Sequence, residues 1–242
     1  MIPKVDILAI GIHPDDVELS AGGTLLRHAA AGKTFGILDL SRGELGTRGT
    51  AEIRRQESAE ATRILGAAFR ETLDIPDGLF THTPDNWLKI VRIIRACRPE
   101  IVLCNAPDDR HPDHGRAAKM TADACFYAGL SKIETLDETG NAQEKWRPKA
   151  VYHYLQDRQL NADFVVDITP WFARKMEAIM AFRSQFYDPN GEGGPNTPIS
   201  GKEFIDFMEA KARVYGRPIQ AQFAEGFICA RTPGVTDLFD LV

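Results

Sequence analysis

Two short segments carry more chemistry than the rest of the chain. The first is His13-Pro14-Asp15-Asp16; the second, Asp108-Asp109-Arg110-His111-Pro112-Asp113-His114, packs two histidines and three carboxylates into seven residues. Neutral imidazoles and a carboxylate form a donor set of borderline hardness that suits Zn2+, with Fe2+, Co2+ or Mn2+ as substitutes. Three protein ligands leave a coordination position for water. A metal lowers the pKa of that water towards about 7, so hydrolysis is the expected chemistry. Hydrolysis also needs a base and a group to steady an oxyanion. Asp15 neighbours a ligand without having to be one. Of His111 and His114, one can bind metal while the other donates to the developing charge, and Asp113 can fix its tautomer. Spacing alone leaves the choice between the two histidines open.

For these segments to share one ion, the fold must bring them together. The first half of the chain alternates β-branched runs with longer helical patterns, the signature of βαβ units and a parallel sheet covered on both faces. Strands are expected at 5–12, 34–40, 68–73 and 100–105. Val17, Ala21, Leu25 and Ala29 repeat at helical spacing up to Gly32, a left-handed C-cap. A second helix starts at Thr50, a good N-cap, and turns Ile53, Ala61, Ile64 and Leu65 inward until Gly66. A third runs over 84–98 behind Thr83 and is stopped by Pro99, and a fourth begins after His114. Side chains of a strand alternate between faces, so His13 and Asp16 converge only if the chain turns at Pro14. Both segments follow strands directly, the first and the fourth, on the edge where ligands of open α/β sheets gather.

The second half is less regular. A polar connection at 131–148 precedes strands at 150–155 and 164–168, a helix over 170–186, another over 202–215 and a short run at 227–230. Four glycines and three prolines between 188 and 201 suit a mobile loop or lid. The expected fold is therefore α/β, a Rossmann-like three-layer α/β/α arrangement with a mostly parallel sheet and a less regular C-terminal part. No repeat or clean linker divides 1–242, so one domain is expected.

Composition narrows the partners. The chain has 242 residues, 43% hydrophobic and 26% charged, which is the mix of a globular protein with a substantial core. Its 29 Lys plus Arg against 34 Asp plus Glu leave a net charge of −5, a poor surface for nucleic acid. No apolar run spans a bilayer, and the N-terminus lacks a signal-peptide pattern, so no membrane association and a cytoplasmic location are expected. Cys97, Cys104, Cys125 and Cys229 form no Cys-x-x-Cys pair and read as small buried hydrophobes. A nucleotide-binding module is disfavoured: no Gly-x-Gly-x-x-Gly turn follows the first strand, and Asp15 and Asp16 put negative charge where a pyrophosphate would sit. Two-metal phosphoesterases need more ligands than three, and structural zinc sites are closed by four.

At these residues the sequence resembles the LmbE-like family of zinc-dependent N-acetylglucosaminide deacetylases. The family's first motif, a small apolar residue and then His-Pro-Asp-Asp, is matched by Gly11 to Asp16, and its His-x-x-His motif by His111 to His114. Stretches 39–57, Ser184-Gln185-Phe186 and Ala224-Glu225-Gly226-Phe227 look like the branch that deacetylates N-acetylglucosaminyl malate in bacillithiol synthesis. The resemblance implies one zinc ion held by His13, Asp16 and His114, with Asp15 as general base. It implies His111 as the positive partner of the oxyanion or leaving amine, with Asp113 behind it, and Arg54 as a substrate contact. Arg110 is a candidate for the anionic end of a malate-bearing sugar. Relatives can place a tyrosine from the late helix near the oxyanion; this chain has Phe204 in the matching region, whose ring cannot donate that hydrogen bond. The resemblance also implies a homo-oligomer, often a hexamer.

Overall fold

Strands whose side chains are apolar on both sides must be covered on both sides, and this dictates the architecture. The computed structural model describes residues 1–188 and 194–240. Strand β1 (Ile7–Gly11) and strand β2 (Phe35–Asp39) are buried at every position. With β3 (Phe69–Thr72), β4 (Ile101–Cys104), β5 (Ala150–Tyr154), β6 (Phe164–Asp167) and β7 (Ala224–Cys229) they form a seven-stranded sheet in the order β3-β2-β1-β4-β5-β7-β6. The first five strands pair in parallel, and β7 runs antiparallel between β5 and β6.

Alternation along β1 divides the core. Leu8 and Ile10 face helices α3 (Pro84–Cys97) and α4 (Pro112–Ala128), joining Ile90, Ile94, Ala117 and Met120. Ile7 and Ala9 face the other way, towards α1 (Asp16–Ala30) and α5 (Phe172–Met180), joining Val17, Ala21, Leu25 and Ala178. Helices α2 (Ala51–Leu65) and α6 (Lys202–Gly216) complete the layers. From β1 the chain winds outward to β2 and β3, then returns to place β4 on the other side of β1. The sheet's switch point therefore lies between β1 and β4, where the two chemical segments leave the sheet.

Local signals set most element ends. Thr50 Oγ1 accepts from Ile53 N at 3.2 Å, and Gly66 ends α2 with φ of 78°. Thr83 caps α3, and Arg98 ends it in the left-handed region. Four expectations need correction. Helix α4 starts at Pro112 rather than after His114, because the His111 side chain itself caps it. In α2, Ile53 is exposed while Arg54 is buried, because its guanidinium has partners inside. Helix α5 stops at Met180, short of Phe186, and the following turn is held by Ser184 N donating to Glu57 at 2.6 Å. The run expected at 227–230 is mostly the end of β7, which starts at Ala224 and stops at Cys229. The expected loop at 188–201 falls partly outside the described residues; its later part, Thr197 to Ile199, lines the cleft described below. Cys97, Cys104 and Cys125 are buried free thiols, and Cys229 is half-buried. Among the described residues no helix is long and apolar enough to cross a membrane.

Candidate metal centre

The turn after β1 does the work that an extended chain could not. Asp15 takes a φ of 115°, a left-handed conformation that costs a non-glycine residue about 1–3 kcal/mol. The reversal lets Asp16 Oδ2 accept from the backbone N–H of His13 at 3.0 Å. Gly11 makes room for it: a Cβ there would lie 2.9 Å from the Cβ of Asp16. Across the switch point, Asn105 at the end of β4 accepts from Ile12 N at 3.0 Å through Oδ1 and donates to Asp16 Oδ2 at 2.9 Å through Nδ2. Gln156, just beyond β5, donates to Asp16 Oδ1 at 2.5 Å.

Asp16 lies between two imidazoles. His13 Nδ1 is 3.9 Å from its Oδ2, and His114 Nε2 is 3.3 Å from its Oδ1. The remaining ring nitrogens each meet a different carboxylate: His13 Nε2 lies 2.9 Å from Asp77 Oδ1, and His114 Nδ1 lies 2.5 Å from Asp109 Oδ2. Those carboxylates are themselves held, Asp77 by Leu45 N at 2.9 Å and Asp109 by Asp157 N and Arg158 N at 3.0 and 2.7 Å. A ring N–H given to a carboxylate fixes the tautomer and leaves the opposite nitrogen's lone pair free, the usual outer support of a metal-binding histidine. In this way His13 Nδ1 and His114 Nε2 are turned towards Asp16, and two imidazoles beside a carboxylate are donor types that suit a divalent cation. Donor atoms of His13, His111 and His114 lie within 4.8 Å of one another, as do those of His13, Asp77 and Asp113. The second group draws on the nitrogen side of His13 that faces Asp77 and so lacks that outer support.

The field here is built for positive charge. Burial works against protonation of His13 and His114. The carboxylates of Asp113 and Asp77, which accept from the protonated ring or pair with it, and the charge of Asp16 outweigh it at His13, raised to about 10, and Asp16 and Asp109 outweigh it at His114, raised to about 9. Asp16 is itself held well below the carboxylate range: burial opposes this, but the charges of His114 and His13 prevail. Burial raises Asp15 to about 7 against the opposing charge of Arg54. A cation arriving here displaces protons from the histidines.

This has a consequence for stability without metal. Each histidine has a folded pKa above its ordinary 6.5, so its contribution is complete below that pH and is lost as pH rises through about 9 and 10. Asp15, raised from 3.8 to about 7, acts with the same sign over a lower window. The melting temperature of the metal-free protein is expected to fall between pH 6.5 and 10, and saturating metal to flatten that fall. A melting temperature that rises over this range in chelator contradicts the electrostatics described here.

The remaining expected residues gather around the same cleft, a cavity of about 350 Å³ whose lining includes His13, Asp15, Asp16, Arg54, His111 and His114. His111 Nδ1 accepts from Asp113 N at 3.3 Å, so the proton of the neutral ring sits on Nε2. The Asp113 carboxylate, expected behind His111, lies elsewhere. It accepts from Gly78 N at 2.9 Å, pairs with Arg116 and lies 3.6 Å from His13 Nε2, because Asp113 is in the first turn of α4 and faces the loop after β3. Arg54 is not a solvated helix charge. Its Nη2 donates to Pro14 O at 2.5 Å and to Asp15 Oδ2 at 3.0 Å, which ties it to the strained turn. Arg110 lines the cavity with its Nε engaged by the Asp157 carboxylate. Phe204 lines it too, stacked on Phe186 at 5.8 Å between ring centroids.

Replacing Arg54 by Gln is expected to lower turnover about 10- to 100-fold. It should also move the acidic limb of the pH profile upward, since it removes the positive charge that holds Asp15 down. A pH–rate profile checks both; an unchanged limb separates Arg54 from Asp15.

Sequence reasoning did not identify Asp77, Asn105 and Gln156, and left Asp109 without a role. Asp77 precedes a glycine in what reads as an ordinary turn, and Asn105 and Gln156 lie just past strand ends with no motif around them. Arg48 also lines the cleft and makes no ion pair among the described residues.

Comparison with known proteins finds deacetylases among those this chain is similar to. The family model described as PIG-L, GlcNAc-PI de-N-acetylase, matches residues 8–125, which include both segments. The diacetylchitobiose deacetylase of Thermococcus kodakarensis is 28% identical over 230 residues, covering 91% of this chain and 81% of that protein. The crystal structure of the conserved protein TT1542 from Thermus thermophilus superposes with a TM-score of 0.84 at 35% identity, over 97% of this chain and 98% of that one. The N,N'-diacetylchitobiose deacetylase of Pyrococcus horikoshii shares the fold, with a TM-score of 0.79 at 24% identity over 98% of this chain and 88% of that one. With its fold, both of its motif segments and nearly its full length matched in this way, the chain belongs to the PIG-L family of LmbE-like N-deacetylases.

Proposed function

We propose that this protein is a zinc-dependent hydrolase that removes the acetyl group from an N-acetylglucosamine conjugate, with N-acetylglucosaminyl L-malate of bacillithiol synthesis as its preferred substrate. The observation that carries the reading is Asp16 set between two carboxylate-anchored imidazoles in the lining of a cleft of about 350 Å³. His13, Asp16 and His114 would hold the ion, which supplies a Lewis acid for the acetamide and lowers the pKa of a nearby water.

The chain's own residues supply the rest. Asp15 accepts the proton of the attacking water as its oxygen adds to the acetamide carbon. Buried and raised to about 7, it is a stronger base than an exposed carboxylate. Arg54 fixes the carboxylate's direction through Asp15 Oδ2. His111 offers Nε2–H to the oxyanion, since its Nδ1 is already committed to the helix cap. The C–N bond then breaks, the proton held at Asp15 passes to the leaving amine, and acetate and a free amine result. Phe204 contributes a wall and no hydrogen bond.

The malate reading is supported by the motif resemblance and by cations in the cleft, above all Arg48, which makes no ion pair among the described residues. Acetate release over a panel comprising the malate glycoside, an inositol glycoside and diacetylchitobiose, with and without chelator, tests it. The malate glycoside is expected to give the highest kcat/KM and chelator to abolish turnover. Activity confined to neutral saccharides rejects malate and keeps the deacetylase. No acetate from any member rejects both. A homo-oligomer is proposed on the resemblance alone; light scattering at a monomer's mass rejects it.

A further inference from the structure

Helix α6 lies outside both chemical segments, yet it buries a lysine. Lys211 is 7% exposed and makes no ion pair with a carboxylate among the described residues. Burial, with Lys175 nearby, lowers its pKa to about 7, so the position is costly for an ammonium group. A methionine would fill such a place more cheaply.

Its hydrogen bond points to what the group does. Lys211 Nζ donates to Leu155 O at 2.8 Å, at the point where the chain leaves β5. The next three residues all support the donor set. Gln156 donates to Asp16 Oδ1 at 2.5 Å and accepts from Asn105 Nδ2 at 3.1 Å. The backbone amides of Asp157 and Arg158 hold Asp109 Oδ1 at 3.0 and 2.7 Å, and the other oxygen of Asp109 orients His114. Leu155 N is fixed from the opposite side by Gly226 O of β7 at 3.0 Å. One four-residue turn thus steadies Asp16 and His114 together, and its first carbonyl is gripped from α6.

We propose that Lys211 is a positioning residue for the metal centre, acting through Leu155 O to hold the turn 155–158 against Asp16 and Asp109. The inference rests on the metal-site reading above. Helix α6 also presents Phe204 and Met208 to the cleft, so the helix that forms a substrate wall is the one that braces the ligands.

The test is zinc affinity, measured by competition with a chromophoric chelator, for wild type, Lys211→Met, Lys211→Gln and Lys211→Arg. Wild type should bind one zinc per chain. The two neutral variants, melting cooperatively, should bind about 10- to 100-fold more weakly, the usual cost of losing outer support, and Lys211→Arg should recover most of the loss. Wild-type affinity in a folded Lys211→Met or Lys211→Gln overturns the proposal, as does failure of both to fold, which would make the lysine a requirement of the core. Absence of zinc from wild type instead rejects the metal-site reading, which keeps the two failures distinct.

Discussion

His114→Ala is expected to lose the metal and, with it, acetamide hydrolysis. In the proposed donor set both imidazoles flank Asp16, and removing one leaves His13 and Asp16 to hold a hydrated ion alone. Lewis-acid stabilisation is worth several kcal/mol, so turnover should fall by about 10³-fold or more. The carboxylate cluster loses one positive neighbour, and Asp109 loses the imidazole it orients. Elemental analysis and acetate release read the result together. One equivalent of zinc retained in the variant, with activity near wild type, removes His114 from the donor set and leaves the neighbouring group of His13, Asp77 and Asp113 to be tested.

Asp15→Asn separates chemistry from metal binding. Asparagine keeps the size of the side chain and an oxygen for Arg54, and it tolerates positive φ better than most residues, so the turn at φ 115° should survive. The variant should retain one zinc per chain while turnover falls about 10²- to 10⁴-fold, the typical contribution of a positioned base. Its pH profile should also lose the limb assigned to Asp15. In the metal-free protein burial raises that carboxyl to about 7 against the opposing charge of Arg54. Full activity in Asp15→Asn rejects Asp15 as base; loss of zinc would show instead that it supports the ligands.

The two outcomes differ because neighbouring residues answer to different forces. Asp16 points into the imidazole pair and is held ionised by their charge. Asp15 points to Arg54 in a buried pocket where desolvation dominates. Adjacent carboxylates are thereby pushed apart in proton affinity, and one can serve as ligand while the other moves a proton.

The two segments and the layered sheet were legible in the sequence because both are local statements. A strand that is apolar on both faces announces its cover, and His-Pro-Asp-Asp directly after one announces a turn at the sheet edge. Errors arose where tertiary partners overrode local pattern. Hydrophobicity sends Ile53 inward, but the inward position belongs to Arg54, because Pro14 O and Asp15 offer it charge-matched partners. Adjacency assigns Asp113 to His111, but the first turn of α4 sends its carboxylate to Gly78, Arg116 and His13.

From the sequence alone came the residue types able to bind a cation, the strands that end beside them and the reversal that one segment requires. Only the tertiary structure decided which nitrogen of each ring is free. That choice depends on Asp77 and Asp109, and on a turn after β5 that reaches Asp16 from 140 residues away along the chain. The reason is physical: an imidazole's usable lone pair is set by the hydrogen bond on its far side, and that partner is chosen by proximity in space, which residue order does not encode.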